Sequence, residues 1–225
     1  MRWGLISDVH ANAPALKAVL EDLDRHDVER VLCAGDVVGY YPFPNETIEM
    51  LRGRRIISIR GNHDRSVLHV DTSRLNPLAG DAVLWTASHL SEESRRYLGS
   101  LPECTTVRSD RQAMSVYHGS PQDPLEYVYE NKAVESYLAM ARCSILVLGH
   151  THIPFVKRFS SGLIVNPGSV GQPRDGDPRA SYSIIDTTER TVENHRVGYD
   201  IEMVARKVAE AGLPRWLLER LEAGI

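Results

Sequence analysis

The sequence predicts a mixed α/β protein, and three observations predict it. Short β-like apolar runs recur along the chain, segments of helical periodicity alternate with the early ones, and the last three runs follow one another with no helix between them. Strands alternating with helices indicate parallel β-α-β units, whereas strands joined directly indicate antiparallel pairing. The first part of the sheet structure is therefore expected to be parallel and the last part antiparallel. No internal repeat or low-complexity tract divides the chain, so residues 1–225 read as one domain.

The strand-like runs are "WGLIS" (3–7), "RVLCA" (30–34), "IISI" (56–59), "AMSVY" (113–117), "SILVL" (144–148), "LIV" (163–165), "SYSIID" (181–186) and "TVENHRV" (191–197). After the first run, Leu16, Val19, Leu20 and Leu23 keep the spacing of one helix face, with Asn12 placed to cap it. Val134, Tyr137, Leu138 and Ala141 repeat that spacing before the fifth run. The stretch 65–112 interrupts the alternation: "NPLAGDAVLWTASHL" and "SEESRRYLGSLP" are helical in pattern, the second capped by Ser91, and together they read as a helical excursion above the main fold. The end of the chain, 201–225, is amphipathic in two pieces broken near Gly212-Leu213-Pro214. Its Trp216, Leu217 and Leu221 are expected to pack on the body; a subunit contact in a homo-oligomer is the second reading. "EDLDRHDVER" reads as a solvated helix end and loop.

Composition narrows the class. Apolar residues at 42% and charged residues at 25% are ordinary for a globular protein, and 225 residues suffice for a large core. A net charge of −4 argues against gripping long DNA or RNA through a broad basic surface, but not against a small phosphorylated substrate. Cys33, Cys104 and Cys143 form no C-x-x-C, so neither a disulfide framework nor a thiolate zinc site is expected. No run is long enough for a signal h-region or a membrane span, and a cytoplasmic protein with no membrane partner is expected.

The chemistry lies at the strand ends. The first run leads into Asp8 and His10, the second into Gly35-Asp36, and the third into Gly61-Asn62-His63-Asp64. The fourth ends in His118-Gly119 and the fifth in Gly149-His150-Thr151-His152. The carboxyl ends of parallel strands are where open α/β sheets bind ligands, so these distant groups can converge. Taken singly, Asp36 is a helix cap and Asn62 a turn residue. Taken as an ordered set, Asp8, His10, Asp36, Asn62, His118, His150 and His152 offer oxygen and nitrogen donors with no thiolate. Such donors suit Mn, Fe, Co, Ni or Zn better than Mg or Ca. They are too many for one open tetrahedral site and about right for two ions sharing a carboxylate.

The ordered motifs "DVH", "GD", "GNHD", "H" and "GHTH", followed by "NPGS" (166–169), resemble those of the calcineurin-like metallophosphoesterases. "GDVVGYYPFPNETIEMLR" and "LGSLP" further resemble a bacterial and archaeal branch of small phosphodiesterase-type members. The resemblance implies a four-layer α/β/β/α sandwich with two mixed sheets. It implies two divalent transition-metal ions, manganese favoured, with Asp8, His10 and His152 on the first, Asn62, His118 and His150 on the second, and Asp36 bridging. His150 and His152 would then grip different ions, about 3.5–4 Å apart. It also implies that Asn62 and His63 contact the phosphate and that His63 protonates the leaving group, with Asp64 orienting His63.

Two divalent cations neutralise phosphoryl oxygens and lower the pKa of bound water, so in-line attack by a metal-bound hydroxide is expected. Protein phosphatases and dinucleoside tetraphosphatases of this superfamily continue the second motif as G-D-x-V-D-R-G, and Gly39, Tyr40 and Tyr41 occupy the last three places here. Without that Arg, and with "GNHD" in place of "GNHE", small phosphodiesters, nucleotide-type among them, are expected ahead of phosphomonoesters or phosphoproteins. A replacement cation has two candidate sources: the helical excursion and the Pro/Gly/Asp-rich loop "GQPRDGDPR", whose Arg174 and Arg179 either reach a substrate phosphate or are solvated. Tyr40, Tyr41 and Phe43 either stack a base or pack a loop. His26, His69, His89 and His195 match no motif and read as surface or packing residues, and Cys33 as a small buried hydrophobe. Non-catalytic scaffolds on this fold lack the histidine or some ligands; this chain has His63 and all seven ligand candidates.

Overall fold

The computed structural model describes residues 1–109 and 112–225. In chain order its elements are β1 (Arg2–Ile6), α1 (Ala13–Leu23), β2 (Arg30–Cys33), α2 (Pro44–Gly53), β3 (Ile57–Ser58) and α3 (Asn62–His69). There follow α4 (Pro77–His89), α5 (Glu92–Ser100), β4 (Cys104–Ser109), β5 (Gln112–Tyr117), α6 (Ser136–Ala141) and β6 (Ile145–Val147). The chain ends with β7 (Phe155–Arg158), β8 (Leu163–Asn166), β9 (Ala180–Asp186), β10 (Thr191–Val197), α7 (Ile201–Glu210) and α8 (Trp216–Ala223). Two five-stranded sheets result, ordered β10-β9-β1-β2-β3 and β4-β5-β6-β8-β7.

Side-chain alternation along the strands explains why these sheets stack. Trp3 and Leu5 of β1, Leu32 of β2, Met114 and Val116 of β5, Ile145 and Val147 of β6, and Leu163 and Val165 of β8 meet in one apolar layer between the sheets. The alternate residues face outward. Ile6, Cys33 and Ile184 pack against α1, α2 and the helices after β3, while Leu146 and Ile164 pack against Tyr137, Leu138 and Ala141 of α6. The layer order is thus α/β/β/α, the predicted sandwich. In α1 the predicted face is buried, and the Asn12 side chain accepts from Ala15 N at 3.2 Å.

Where the reading of the sequence departs from the structure, the reasons are local. Two strands were not anticipated, β4 and β7, and they are the two edges of the second sheet. An edge strand is hydrogen-bonded on one side and tolerates polar residues, so "CTTVRS" and "FVKR" lack the apolar run of a central strand. The helical excursion therefore ends with α5 and does not reach 112; the part of it at 110–111 lies outside the described residues. Of the last three predicted strands, β9 and β10 are antiparallel, but β8 lies in the other sheet, parallel to β6 and antiparallel to β7. Val134 is exposed and precedes α6, so it does not belong to that helix face.

The chain's last two helices fold back over the excursion. Val204, Val208, Leu213, Leu217 and Leu221 pack with Tyr40, Tyr41, Ala79 and Ala82, with Trp216 and Phe43 alongside. Among the described residues no helix is long and apolar enough to cross a membrane. The three cysteines are free, and burial pushes the Cys33 thiol far up, as expected of a small buried hydrophobe.

Candidate metal centre

β1, β2 and β3 run parallel in one sheet; β5, β6 and β8 run parallel in the other. The carboxyl ends of these six strands meet, and all seven sequence-predicted ligand candidates lie there. Two clusters form. Asp8, His10 and His152 have donor atoms within 4.8 Å of one another, and so do Asp36, His118 and His150. The clusters are joined through Asp36, whose Oδ2 lies 3.7 Å from His10 Nε2 and 3.3 Å from His118 Nε2. His152 Nε2 is 3.3 Å from Asp8 Oδ1 and 3.1 Å from His10 Nε2. Asn62 Oδ1 is 2.9 Å from His118 Nε2.

The backbone is bent to bring these groups in. Asp8, His10, Asp36, His150 and His152 all have positive φ, between 50° and 69°. A non-glycine residue there is strained by of order 1–3 kcal/mol, and such strain concentrates at functional sites. Hydrogen bonds hold the bends. Asp36 Oδ1 accepts from His63 N at 2.8 Å, and Asp8 Oδ2 accepts from His150 N at 3.0 Å. At Gly61 the close approach is absolute, because a Cβ there would sit on the Asp36 carboxylate. Asn166, in the "NPGS" stretch, donates to Gly149 O at 2.8 Å and to Thr151 Oγ1 at 3.0 Å, clamping the GHTH turn.

Two imidazoles have fixed orientations. His118 Nδ1–H donates to Ala34 O at 2.8 Å and His152 Nδ1–H to Gln172 O at 2.5 Å, which turns both Nε2 atoms inward; that of His118 carries a proton in the free protein, which a metal would displace. That is how metal-binding histidines are oriented. Asp8 Oδ1 and His150 Nε2 are buried with no hydrogen-bond partner among the described residues, as a donor set for a cation would be. Burial pushes His10, His150 and His152 down, His150 to about 3, keeping these rings neutral and able to donate a lone pair. Burial opposes the charge of His118 as well, but Asp36 beside it prevails and raises it. Burial would also raise Asp8 and Asp36; the imidazoles, His152 for Asp8 and His118 for Asp36, hold both below the usual carboxylate range. The clustered His and Asp groups thus point to divalent metal binding.

His63 is buried beside the centre, its ring edge-on to His10 with centroids 4.8 Å apart. Burial lowers it to about 4, so it is neutral at pH 7 in the free protein. Asp64 does not orient it. The Asp64 oxygens accept from Val38 N at 3.0 Å and Gly61 N at 2.9 Å, and His63 Nδ1 finds no partner among the described residues. A carboxylate three residues into a helix reaches back to the helix's first N–H, and this geometry takes Asp64 away from the ring. Burial, then the charge of Asp36, raises Asp64 to about 7.

A cavity of about 720 Å³ opens over the centre, lined by Asp36, Asn62, His63, His150 and His152, a size within the range of small-molecule sites. Tyr40 and Arg174 line it as expected; Arg174 Nη2 donates to the Tyr40 hydroxyl at 3.3 Å. Arg179 does not line it, because Asp177 binds its guanidinium at 2.7 Å on the surface. Tyr41 is fully buried and Phe43 packs on the tail helices, so both serve packing. His69 is exposed, as its surface reading expects, and with Arg65 and Ser66 it also lines the cavity. Residues 62, 65, 66 and 69 share one face of α3, so the spacing from Asn62 could have found them. Arg74, Tyr127 and Arg220 carry no comparable signal. Tyr127 stacks on His150 with centroids 3.9 Å apart.

Residues 1–190 match the calcineurin-like phosphoesterase superfamily domain. The chain belongs to that superfamily. As a member it is a metal-dependent hydrolase of phosphoric esters. It is 35% identical over 238 residues to the uncharacterized protein MJ0912 of Methanocaldococcus jannaschii, an alignment spanning 98% of this chain and 97% of that one. Its fold matches that of a metallophosphoesterase from Sphaerobacter thermophilus with a TM-score of 0.87 and 38% identity, covering 100% of this chain and 99% of that chain. The phosphodiesterase YfcE of Escherichia coli is 24% identical over 196 residues, 83% of this chain and 88% of YfcE.

Proposed function

We propose that the protein hydrolyses phosphodiester bonds of small, nucleotide-type substrates at a centre of two divalent transition-metal ions, with manganese the favoured metal. The observation that carries this reading is the pair of clusters joined through Asp36. Asp8, His10 and His152 would hold one ion, Asn62, His118 and His150 the other, and Asp36 would bridge. When bound, the ions supply charge neutralisation and an activated water.

The chain's own residues do the rest. Asn62 and His63 stand on the first turn of α3, facing the cavity, where the positive end of the helix dipole favours a phosphate. An anionic phosphate beside His63 offsets the burial that keeps its ring neutral, so the ring takes up a proton as substrate binds and returns it to the leaving oxygen. Helix α3, the segment into α4 and Arg220 of α8 wall the cavity, so residues 1–225 act as one unit in this reading. Three free cysteines accord with a cytoplasmic setting.

The similarity to a protein named phosphodiesterase favours diesters. One observation favours the phosphomonoester reading: Arg174, anchored by its backbone N to His152 O at 3.4 Å, supplies a cation where the G-D-x-V-D-R-G arginine is missing. Metal-stripped protein reloaded with manganese and offered bis-p-nitrophenyl phosphate and p-nitrophenyl phosphate decides between them. A diester preference that disappears in Asp36→Ala supports the proposal. A monoester preference transfers the assignment to Arg174-assisted monoester hydrolysis, and no turnover of either with metals bound defeats both.

A further inference from the structure

Three guanidinium groups on the cavity wall have no aspartate or glutamate partner among the described residues: Arg74, which is exposed, and Arg174 and Arg220, which are half-buried. Arg174 comes from the loop between β8 and β9, and Arg220 from α8, beyond the residues 1–190 that match the superfamily domain. Other arginines nearby are paired: Arg65 with Glu103 at 2.5 Å, Arg179 with Asp177, and Arg196 with Asp175, the residue next to Arg174. Among the described residues neither Arg174 nor Arg220 has an aspartate or glutamate within ion-pair distance. Arg174 Nε is buried without a partner among the described residues, its Nη2 donates to the Tyr40 hydroxyl, and the Tyr127 hydroxyl is also within its reach. Arg220 Nε donates to Ile225 O at 2.8 Å, and its guanidinium lies 5.2 Å from the Trp216 ring centre. Both side chains are half-buried and line the same cavity.

Two half-buried like charges side by side are unfavourable unless an anion joins them. Burial, then the Arg174 charge, lowers the Arg220 pKa in the free protein, a sign of that unmet demand. The scissile phosphate does not meet it: in the proposed reaction that group, with Asp8 and Asp36, already answers most of the charge of the two cations. We propose that Arg174 and Arg220 form a second anion subsite, which takes a non-scissile phosphate, so that the substrate carries two phosphoryl groups. A dianion held by two guanidinium groups gains charge-assisted bonds of a kind that a hydroxyl at the same position does not. The Tyr40 and Tyr127 rings, both in the cavity lining, flank the path between the metal centre and this subsite.

This inference rests on the two-metal reading, and its test separates the two. Manganese-loaded full-length protein is offered the p-nitrophenyl ester of thymidine 5′-phosphate, with and without a phosphate on the 3′ oxygen. The scissile bond is the same in both. The expected result is a kcat/KM at least about tenfold higher for the 3′-phosphorylated ester, about 1.4 kcal/mol, with that ratio falling towards one in Arg220→Gln and intermediate in Arg220→Lys. A folding defect would lower both rates and leave the ratio. No preference in the native protein, or a preference that survives Arg220→Gln, overturns the subsite. If neither ester is turned over, the proposed reaction fails, and calorimetry still decides the subsite. Thymidine 3′,5′-bisphosphate or thymidine 5′-diphosphate must bind at least tenfold tighter than thymidine 5′-monophosphate, and must lose that margin in Arg220→Gln. The tighter of the two tells an ester-linked from an anhydride-linked second phosphate; equal binding of all three overturns the proposal.

Discussion

Each acidic residue in the centre divides its two oxygens between backbone and imidazole. Asp36 uses Oδ1 on His63 N and turns Oδ2 to His10 and His118, while Asp8 uses Oδ2 on His150 N and turns Oδ1 to His152. Asp64 is different, because both of its oxygens serve backbone N–H groups. Asp64→Asn replaces one acceptor with a donor and leaves a buried N–H unsatisfied, at a cost of about 1–3 kcal/mol. For a chain of this size the melting temperature should fall by roughly 2–12 °C. If turnover falls with no thermal shift, Asp64 serves His63 rather than the backbone. For His63→Ala the discriminating measurement is leaving-group dependence. Nitrophenolate departs without a proton and an alkoxide does not, so loss on an alkyl phosphodiester should reach about 10²–10⁴ and clearly exceed loss on the nitrophenyl ester. Equal losses would mean that His63 binds phosphate without delivering a proton. These groups were legible in the sequence because they cluster after apolar runs, and Asp36, Asn62, His118 and His150 stand beside a glycine. Arg179 misled because sequence cannot show that Asp177 holds it, and Arg220 was invisible because its place depends on how α8 packs on Tyr40 and Tyr41.

Four of the strands that position the site have two-sided burial, and the sequence declares them; β3, which leads into Asn62 and His63, is an edge of the first sheet. β1, β2, β5 and β6 are internal, and their residues alternate between two apolar layers, which leaves an unmistakable run. β4 and β7 are edges with one buried face, and short mixed runs of that sort look like loops. The assignment of β8 to the second sheet was hidden for another reason: partner choice is a long-range property, and β8 reaches β6 only after β7 has turned back on it. Helix α1 shows how an element end couples to the site loops. Asn12 caps Ala15 N and also donates to Gly171 O at 3.0 Å and Tyr199 OH at 3.3 Å, tying the β1–α1 turn to the loop after β8. Asn12→Ala removes the cap and orphans a buried carbonyl, for a loss of about 2–3 kcal/mol. Asn12→Asp keeps the cap but not the donors, so it should recover only part of the stability in denaturant melts. Full recovery by Asp would reduce the residue to a cap.

At the scale of the whole molecule the centre is a joint between two sheets. The first sheet supplies Asp8, His10 and Asp36, with Asn62 just past β3; the second supplies His118, His150 and His152. Between them lies one apolar layer, and at its open end these polar groups are packed together, five of the seven with left-handed backbones. Ions that bind both sets at once act across the joint, so metal binding and folding stability should be linked. Metals at about 100–1,000 times their dissociation constants stabilise by about 2.7–4.1 kcal/mol per site, provided the unfolded chain does not bind them. Converted at about 2–4 °C per kcal/mol, stripping even one tight ion should lower the melting temperature by roughly 5–16 °C. Adding manganese back should restore the loss, saturating at two equivalents in calorimetry. In Asp36→Ala, where the shared carboxylate is gone, the add-back shift should shrink to a few degrees or vanish. A single equivalent would assign the second cluster to hydrogen bonding rather than metal binding. Identical melting of stripped and reloaded protein would mean that the joint is held by its hydrogen bonds alone.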